Sequence, residues 1–390
     1  FIKRLMPSFN ELKLAKELIR FPSITPHDAG AINFLSKKLK SLGFKCKILE
    51  FKDKKSKPIK NLYARFGNEQ PNLCYAGHTD VVPPGNMSDW TTNPFKPVVK
   101  KNYLIGRGAN DMKSSIACFV TAVSKYLKVQ KKFNGSISFL ITGDEEGYAI
   151  NGTKKVVQYL KKKGEKINFC IVGEPTNPNK LGEMIKIGRR GSLTGKIEIS
   201  GVQGHVAYPH LLNNPINTLV NICKTLKEKK LDNGNKSFQP SNLEFTGIYV
   251  DNKAHNVIPA KARAQFNIRY NNFHTASSLK KKINKIIKNI CKKNKCNFKV
   301  EYLANGDSFL TKPEKTIFMA KKIIKKITKI NPKFSTTGGT SDARFIKTIS
   351  PCLEFGLVNK TMHKVDECVS ITDLKKLTNI YHNILIEYFK

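Results

Sequence analysis

The sequence predicts an α/β protein in which a three-layer domain is interrupted by a smaller inserted domain. Apolar strands alternate with helical segments up to about residue 190, and this alternation is typical of a three-layer α/β domain with a largely parallel sheet. From Gly191 the order changes to β-α-β-β-α-β, which is the order of a ferredoxin-like unit. A length of 390 residues also favours two domains over a single core.

The main domain is predicted from strands and helices on both sides of the insertion. Its first part contains, in order, the strand NLCYAG, a helix at 112–127, the strand SISFLIT, a helix at 152–162 and the strand NFCIVGE. Its second part contains a helix near 314–329, a GGTSD turn, the strand CLEFG and a closing helix after Ser370. The predicted main domain is therefore discontinuous and covers 1–190 and 305–390.

The inserted domain, 191–304, is predicted from four strands and two amphipathic helices. In chain order these segments are SLTGKIEIS, PINTLVNICKTLKEK, LEFTGIYV, ARAQFNIRY, ASSLKKKINKIIKNI and NFKVEYL. The first, third, fourth and sixth segments have the β-branched and aromatic residues of strands, whereas the other two have helical periodicity. Together they make a complete small domain.

The net charge of +40 raises the question of a nucleic acid partner. Nine of the 69 basic residues are Arg, although specific phosphate and base contacts favour Arg over Lys. The lysines are spread over the polar faces of predicted helices, so we interpret the charge as a composition bias and do not expect nucleic acid binding. We do expect a positive field that attracts small polyanionic substrates. The longest apolar stretch, 116–123, is too short to cross a membrane.

The nine cysteines are scattered and form no CxxC pair. This pattern favours reduced thiols in the cytoplasm over a disulfide framework or a structural zinc site. The N-terminal segment lacks the apolar core and cleavage site of a secretory signal. It is predicted instead to form a helix that begins with a capping box between Ser8 and Glu11.

Candidate metal ligands follow predicted strands, where open α/β sheets bind ligands. They are His78, Asp111, Glu146, Glu174 and His363. Asp111 opens a predicted helix, so a helix N-cap is the alternative there, and an isolated histidine such as His363 is ordinarily a surface residue. In the H-x-D pair, His78 is interpreted as a ligand and Asp80 as the carboxylate that orients it.

This mixed set of nitrogen and oxygen ligands suits zinc and similar divalent ions, and the absence of cysteine ligands argues against a structural zinc site. Five ligands exceed the need of one catalytic zinc but suffice for two ions if a carboxylate bridges them. The adjacent Glu145 and Glu146 follow the strand SISFLIT. One can bind a cation while the other accepts a proton; the alternative is a solvated acidic loop.

Besides these candidate ligands, the sequence contains a series of motifs that occur, in the same order along nearly the whole chain, in a known enzyme family. They are GHTDVVPPG, GRGANDMK, TGDEEG, VGEPT, GRRGSL, GVQGHVAYPH, HNVIPA, GGTSDARF, EFG and HKVDE. In these motifs the chain resembles the succinyl-diaminopimelate desuccinylase family of the zinc-dependent aminoacylase and carboxypeptidase superfamily. The resemblance implies a zinc-peptidase-like catalytic domain with an inserted dimerisation or lid domain. It also implies hydrolysis of N-succinyl-LL-2,6-diaminopimelate to succinate and LL-2,6-diaminopimelate, a step toward lysine.

The resemblance implies two Zn²⁺ per subunit, with Co²⁺ able to replace zinc at one site. His78 and Glu174 would hold one ion, Glu146 and His363 the other, and Asp111 would bridge them. Glu145 would be the general base and Asp80 the residue that orients His78. A cis peptide bond would follow Asp111.

The resemblance also implies a homodimer formed through the inserted domain, in which His205 reaches the partner subunit's site as an oxyanion donor. The alternative for His205 is a buried histidine in a loop. Further positions match those that line the family's substrate pocket: Arg189, Ser192, Asn256, Arg269, Thr340 and Asn359. The two arginines suit a substrate with three carboxylates, because a planar guanidinium binds a carboxylate with two hydrogen bonds.

Two competing functions remain open at this point. Within the enzyme class, the metal motifs alone also fit an acetylornithine-type deacylase, an aminoacylase or a carboxypeptidase, although GRRGSL, HNVIPA and GGTSDARF favour the desuccinylase. From another class, the chain could be a binding protein that kept the fold and lost the chemistry. The presence of all the ligands together with Glu145 and Asp80 argues against that alternative.

Overall fold

Long apolar segments of the chain pair into strands in the computed structural model, which describes residues 7–53, 56–130 and 133–390. The strands are β1 (Lys45–Phe51), β2 (Ile59–Phe66), β3 (Asn72–His78), β4 (Val98–Lys100), β5 (Tyr103–Ile105), β6 (Ser136–Thr142), β7 (Phe169–Val172), β8 (Met184–Lys186), β9 (Gly188–Arg189), β10 (Gly191–Ser200), β11 (Gly204–His205), β12 (Asn242–Tyr249), β13 (Val257–Ile258), β14 (Lys261–Tyr270), β15 (Asn297–Ala304), β16 (Phe309–Leu310), β17 (Lys333–Ser335), β18 (Cys352–Glu354) and β19 (Cys368–Ser370).

The helices occupy the segments with helical periodicity. They are α1 (Glu11–Ile19), α2 (Ala31–Ser41), α3 (Lys113–Val129), α4 (Thr153–Lys162), α5 (Pro215–Glu228), α6 (Ala276–Lys293), α7 (Lys315–Thr328), α8 (Ala343–Ile346) and α9 (Ile371–Tyr388). The chain folds into two units: the first runs up to Ile187 and continues through 311–335 and 341–390, and the second comprises 188–310 and 336–340.

The first unit is built on an eight-stranded sheet with the order β1-β2-β6-β3-β7-β18-β8-β17. Strands β6, β3, β7 and β18 run parallel, whereas β1 and β2 add an antiparallel edge. Every residue of β3, β6 and β7 is buried, so both faces of the sheet must be covered. Helix α3 packs with α1 and α9, while α2 packs on β1 and β2 and α4 packs on β6. The predicted three-layer α/β class is confirmed, with a sheet that is mixed rather than largely parallel.

Parallel pairing determines where the polar residues of the first unit meet. His78 is the last residue of β3, which lies between β6 and β7 in the sheet. Glu145 and Glu146 come shortly after the end of β6, and Glu174 comes shortly after the end of β7. Because the carboxyl ends of parallel neighbours lie at one edge of a sheet, the loops that carry these residues converge.

The second unit contains a four-stranded antiparallel sheet with the order β12-β14-β10-β15. Helices α5 and α6 pack against each other and on this sheet, and buried residues such as Ile197, Ile222, Phe266 and Ile283 fill the space between sheet and helices. The chain order β10-α5-β12-β14-α6-β15 is the β-α-β-β-α-β pattern expected from the sequence.

The predicted start of the first helix is wrong. Helix α1 begins at Glu11, and Asn10 is its N-cap because the Asn10 side chain accepts a hydrogen bond from the Lys13 N–H at 2.9 Å. Asparagine is as good an N-cap as serine, and here it caps the helix two residues after the predicted Ser8. Among the described residues, no helix is both long and apolar enough to cross a membrane.

Candidate metal centre

The first unit brings all five predicted metal ligands together in two overlapping triads. Ligand atoms of His78, Asp111 and Glu174 lie within 4.8 Å of one another, and so do those of Asp111, Glu146 and His363. Asp111 belongs to both triads. These two triads correspond to the groups that the family resemblance implied, and the ligand atoms of a third group, His78, Glu145 and Glu146, lie equally close together.

Asp111 faces a histidine with each of its carboxylate oxygens. Its Oδ1 lies 3.1 Å from His78 Nε2, and its Oδ2 lies 3.2 Å from His363 Nε2. The N-cap of α3 is Met112, and the cap makes no side-chain hydrogen bond, so Asp111 does not serve as the helix cap. The peptide bond between Asp111 and Met112 is cis, as the resemblance implied.

The Nε2 atom of His363 lies close to two carboxylates, although the side chain is partly exposed. Its side chain is 43% exposed, and its Nε2 lies 2.8 Å from Glu146 Oε1 as well as near Asp111. Hydrogen bonds with these carboxylates raise the pKa of His363 to about 10 in the metal-free protein. His363 is therefore an exposed histidine, as the alternative expected, but one whose ring nitrogen has two carboxylate partners.

His78 is buried at the end of β3. Burial alone would lower the pKa of His78, but the facing carboxylate of Asp111, together with Glu174 and Asp80, raises it well above the usual value. The same histidines draw the proton away from Asp111: despite burial, they hold its pKa below the ordinary range.

Asp80 orients the site by a different route from the one predicted. The His78 Nδ1–H donates to the main-chain carbonyl of Asp80 at 2.9 Å, whereas the Asp80 Oδ1 lies 3.7 Å away. The Asp80 carboxylate accepts the backbone N–H groups of Glu145 and Glu146, at 3.3 and 3.0 Å. The expected same-side geometry requires an extended chain, but β3 ends at His78. Asp80 therefore fixes both the tautomer of His78 and the position of the two glutamates.

Glu145 is suited to accept and return a proton. Burial raises the pKa of Glu145 well above its usual value, and the neighbouring Glu174 carboxylate raises it further. A carboxyl group with a raised pKa can exchange a proton near neutral pH. The Glu146 carboxylate instead lies within hydrogen-bond distance of the His363 ring, so the two adjacent glutamates have different partners.

Sequence reasoning missed two carboxylates that hold the loops of the site. Asp144 accepts backbone N–H groups of Ala149, Ile150 and Asn151 at 2.9–3.2 Å, which fixes the turn after Glu146. Glu367 is fully buried beside the loop that carries Asp111. Asp144 lies in the motif TGDEEG and Glu367 in the motif HKVDE. Nothing in the spacing of these motifs shows that the two carboxylates accept backbone hydrogen bonds and are not solvated.

In the second unit, His205 ends the short strand β11, which pairs with β13 next to Asn256. His205 is exposed, so the alternative of a buried histidine is wrong. Its Nδ1 accepts the Ala207 N–H at 3.1 Å, which assigns the proton of the neutral ring to Nε2. His205 therefore presents an N–H donor, the group that an oxyanion requires.

The residues predicted to bind substrate are distributed over both units. Ser192 and Arg269 are opposite each other on β10 and β14 of the second unit, and the Ser192 Oγ accepts a hydrogen bond from Asn267 at 3.1 Å. Arg189 donates to the Gly339 carbonyl at 3.1 Å, so part of its guanidinium supports the turn before Thr340. In the first unit, the Asn359 N–H donates to the Asn177 carbonyl at 2.9 Å.

The donor set of the first unit fits divalent zinc. Two imidazole nitrogens and several carboxylates converge, and the His78 Nδ1–H bond leaves its Nε2 directed at Asp111. Carboxylates clustered this closely repel one another unless cations compensate them. Zinc accepts this mixture of ligands, and a shared carboxylate is typical of two-metal sites.

An α/β fold that gathers such ligands at the carboxyl ends of parallel strands defines a candidate metallohydrolase. The chain belongs to Peptidase family M20/M25/M40, whose family model matches residues 74–387. This family is metal-dependent, in agreement with the triads described above.

Curated relatives cover almost the full chain. A succinyl-diaminopimelate desuccinylase from Pelagibacter ubique is 69% identical over 384 residues, which cover 98% of this chain and 100% of that protein. The protein of the same name from Ehrlichia canis is 49% identical, with 98% and 99% covered.

Solved structures share the fold at low sequence identity. The aminopeptidase PepT from Bacillus cereus has a TM-score of 0.78 and 19% identity, with 98% of this chain and 100% of that chain covered. A dinuclear metal-binding peptidase of the M20 family from Bacillus subtilis has a TM-score of 0.72 and 14% identity, with 97% of each chain covered.

Proposed function

We propose that the chain hydrolyses the amide bond of N-succinyl-LL-2,6-diaminopimelate and releases succinate and LL-2,6-diaminopimelate. The observation that carries the reaction class is the position of Asp111, whose oxygens face His78 and His363 at 3.1 and 3.2 Å. A carboxylate in this position can be shared by two cations. The choice of substrate is supported by the name of the relative that is 69% identical over nearly the whole chain.

Two zinc ions are proposed as the resident metals. His78 and Glu174 would hold one ion, Glu146 and His363 would hold the other, and Asp111 would be shared between them. When bound, such ions acidify a water molecule and polarise the amide carbonyl. Co²⁺ accepts a similar set of ligands and is proposed to replace zinc at one position.

Glu145 is proposed as the general base. It takes a proton from the attacking water as the water oxygen bonds to the amide carbon. It then delivers that proton to the nitrogen as the carbon–nitrogen bond breaks. The raised pKa of Glu145, which results from burial and from the adjacent Glu174, suits both transfers. The hydrogen bonds that the backbone N–H groups of Glu145 and Glu146 donate to the Asp80 carboxylate hold Glu145 in place.

The oxyanion that develops on the amide carbonyl needs a donor, and we propose the Nε2–H of His205. We further propose that the chain is a cytoplasmic homodimer in which His205 serves the site of the other subunit. Arg189, Ser192, Asn256, Arg269, Thr340 and Asn359 are proposed to bind the substrate. Among these, the guanidinium groups of Arg189 and Arg269 suit the carboxylates of the substrate, because a guanidinium binds a carboxylate with two hydrogen bonds.

The proposal is tested by substrate comparison. Metal-free protein is loaded with zinc and given N-succinyl-LL-2,6-diaminopimelate, N-acetylornithine, N-acetyl amino acids and a dipeptide, and the released amine is measured. The expected result is zinc-dependent release with the highest kcat/KM for the succinylated substrate. A higher kcat/KM for N-acetylornithine or another substrate would identify a different deacylase. Binding of the succinylated substrate without any hydrolysis in the panel would indicate a non-catalytic binding protein.

A further inference from the structure

Two irregular loops of the first unit carry ligands that meet at the proposed metal centre. Residues 106–112 connect β5 to α3 and contain Asp111, whereas residues 355–367 connect β18 to β19 and contain His363. A helix or strand would fix such residues through its own backbone hydrogen bonds. Something else must therefore hold Asp111 and His363 at their observed separation of 3.2 Å.

The Glu367 side chain accepts the hydrogen bonds of backbone N–H groups in the loop that contains Asp111. Its Oε1 accepts the N–H groups of Asn110 and Asp111 at 2.7 and 2.9 Å. Its Oε2 accepts the Gly108 N–H at 3.1 Å and Arg107 Nη1 at 2.7 Å. The carboxylate is fully buried, so these bonds are shielded from water and are stronger than bonds at the surface. The peptide that carries Asp111 is thus fixed by a residue from the other end of the chain.

Arg107 extends the same connection to the second loop. Its Nη1 donates to the Lys364 carbonyl at 3.1 Å, and its Nη2 lies 3.4 Å from the His363 carbonyl. The guanidinium is 2% exposed and lies over the Trp90 ring, 5.1 Å from its centroid. It also donates to the carbonyl of Pro83 at 3.3 Å, in the segment that follows His78 and Asp80. The fork of donors therefore contacts two stretches of backbone that flank the site, one at residues 363–364 and one at Pro83.

The second loop needs such support. His363 has a left-handed backbone conformation with φ of +63°, which is unfavourable for a residue with a side chain and persists where its surroundings impose it. The Thr361 hydroxyl closes the loop by donating to the Cys368 carbonyl at 2.7 Å and accepting the Cys368 N–H at 3.1 Å. The bond from Arg107 then fixes the peptide group of His363 itself.

General stability is a poor explanation for this ion pair. Burying two charges costs desolvation energy, and apolar residues of the same volume are often equally stable. The bonds made by Arg107 and Glu367 go to backbone groups of the loops that carry metal ligands. What the pair supplies is therefore the geometry of those loops.

We propose that the buried pair of Arg107 and Glu367 positions Asp111 against His363 and thereby sets the zinc affinity of the triad Asp111, Glu146 and His363. Arg107 and Glu367 are positioning residues that touch neither metal nor substrate. This inference rests on the proposed metal centre, and it assigns to the chain a means of tuning one of its two metal positions.

Two variants and one control test the proposal. Glu367→Gln replaces one acceptor oxygen with a donor that cannot accept a backbone N–H. Arg107→Lys keeps the positive charge but loses the fork of donors. Glu165→Gln is the control, because it removes a different ion pair of the same unit, the partly buried Arg65–Glu165 at 2.6 Å. Zinc affinities of the metal-free proteins are measured by competition with a chromophoric chelator, and Co²⁺-loaded proteins are compared by visible absorption.

Both test variants should lower one of the two zinc affinities, that of the triad Asp111, Glu146 and His363, roughly 10–100-fold, as is typical when a group that supports a ligand is lost. They should also change the Co²⁺ absorption bands, which report ligand geometry. Glu165→Gln should leave both measurements unchanged even if it lowers the unfolding temperature.

Wild-type zinc affinities and Co²⁺ spectra in the two variants, with a lowered unfolding temperature, would overturn the proposal and leave the pair a role in stability alone. If Glu367→Gln does not fold, Arg107→Lys decides by the same criteria. A wild-type protein that binds no zinc would overturn the proposed function together with this inference. A wild-type protein that binds two ions, beside variants that bind them equally well, would overturn the inference alone.

Discussion

Zinc binding to the metal-free protein should release protons, because nearby carboxylates raise the pKa values of the histidines of the site. Hydrogen bonds with Asp111 and Glu146 raise the pKa of His363 to about 10. Burial opposes protonation of His78, but the carboxylates of Asp111 and Glu174 outweigh burial and raise its pKa well above the usual value. At pH 8 the His363 imidazole therefore holds a proton that a bound cation must displace, and the raised pKa of His78 favours release in the same direction.

The expected magnitude at pH 8 is about one proton from His363 as the two zinc positions fill, and any proton on His78 adds to this release. The pKa of Asp111 is held below the ordinary range, so that carboxylate releases none. The contribution of His363 should disappear as the pH rises through about 10, where this histidine is already neutral in the metal-free protein. Burial also raises the pKa of Glu145, so this residue can add to the number of protons released. Repeating the measurement in Glu145→Gln removes its contribution.

The assay is calorimetric titration of zinc into metal-free protein at pH 8, in buffers that differ in ionisation enthalpy. The slope of observed enthalpy against buffer enthalpy gives the number of protons released. A slope near zero in both the wild-type protein and Glu145→Gln would refute the reasoning. It would show that His363 is neutral at pH 8 before zinc binds.

Three further predictions concern the reaction itself. Glu145→Gln should keep its zinc but lose on the order of 10²–10⁴-fold in turnover, and near-normal turnover would mean that another group is the base. Glu146→Gln should lose zinc, because this residue shares the second triad with His363; undiminished two-ion content by elemental analysis after dialysis would contradict its assignment as a ligand. His205→Ala should lower turnover by about 10²–10³-fold with unchanged zinc content. Mixing His205→Ala with Glu145→Gln subunits should restore activity if each site is completed by the partner subunit, whereas hybrid dimers without recovery would assign His205 to its own subunit.

The sequence was sufficient to predict the class of fold, since periodicity is a local property that survives folding. The strand SISFLIT became β6, and the helices expected at 112–127 and 314–329 became α3 and α7 with ends shifted by one or two residues. The sequence predicted the ends of helices and strands least well. At the start of α1 the N-cap is Asn10 and not Ser8, because serine and asparagine can both cap a helix.

The sequence also identified the residues of the candidate site by type and by their place after strands. His78, Glu145 and Glu174 follow neighbouring strands, and the parallel pairing of β6, β3 and β7 is sufficient to bring them together. That His363 would join them could be inferred from the family resemblance, but not from spacing.

Only the tertiary structure decided which atom of each residue makes which contact. The main-chain carbonyl of Asp80, not its carboxylate, orients His78, because the strand ends before Asp80 and the chain turns. Glu367 serves the backbone of Asp111, although the two residues lie far apart in the sequence. Sequence patterns record which side chains are polar and which are buried, whereas hydrogen-bond partners depend on where irregular loops meet, and that is determined by the packing of the whole unit.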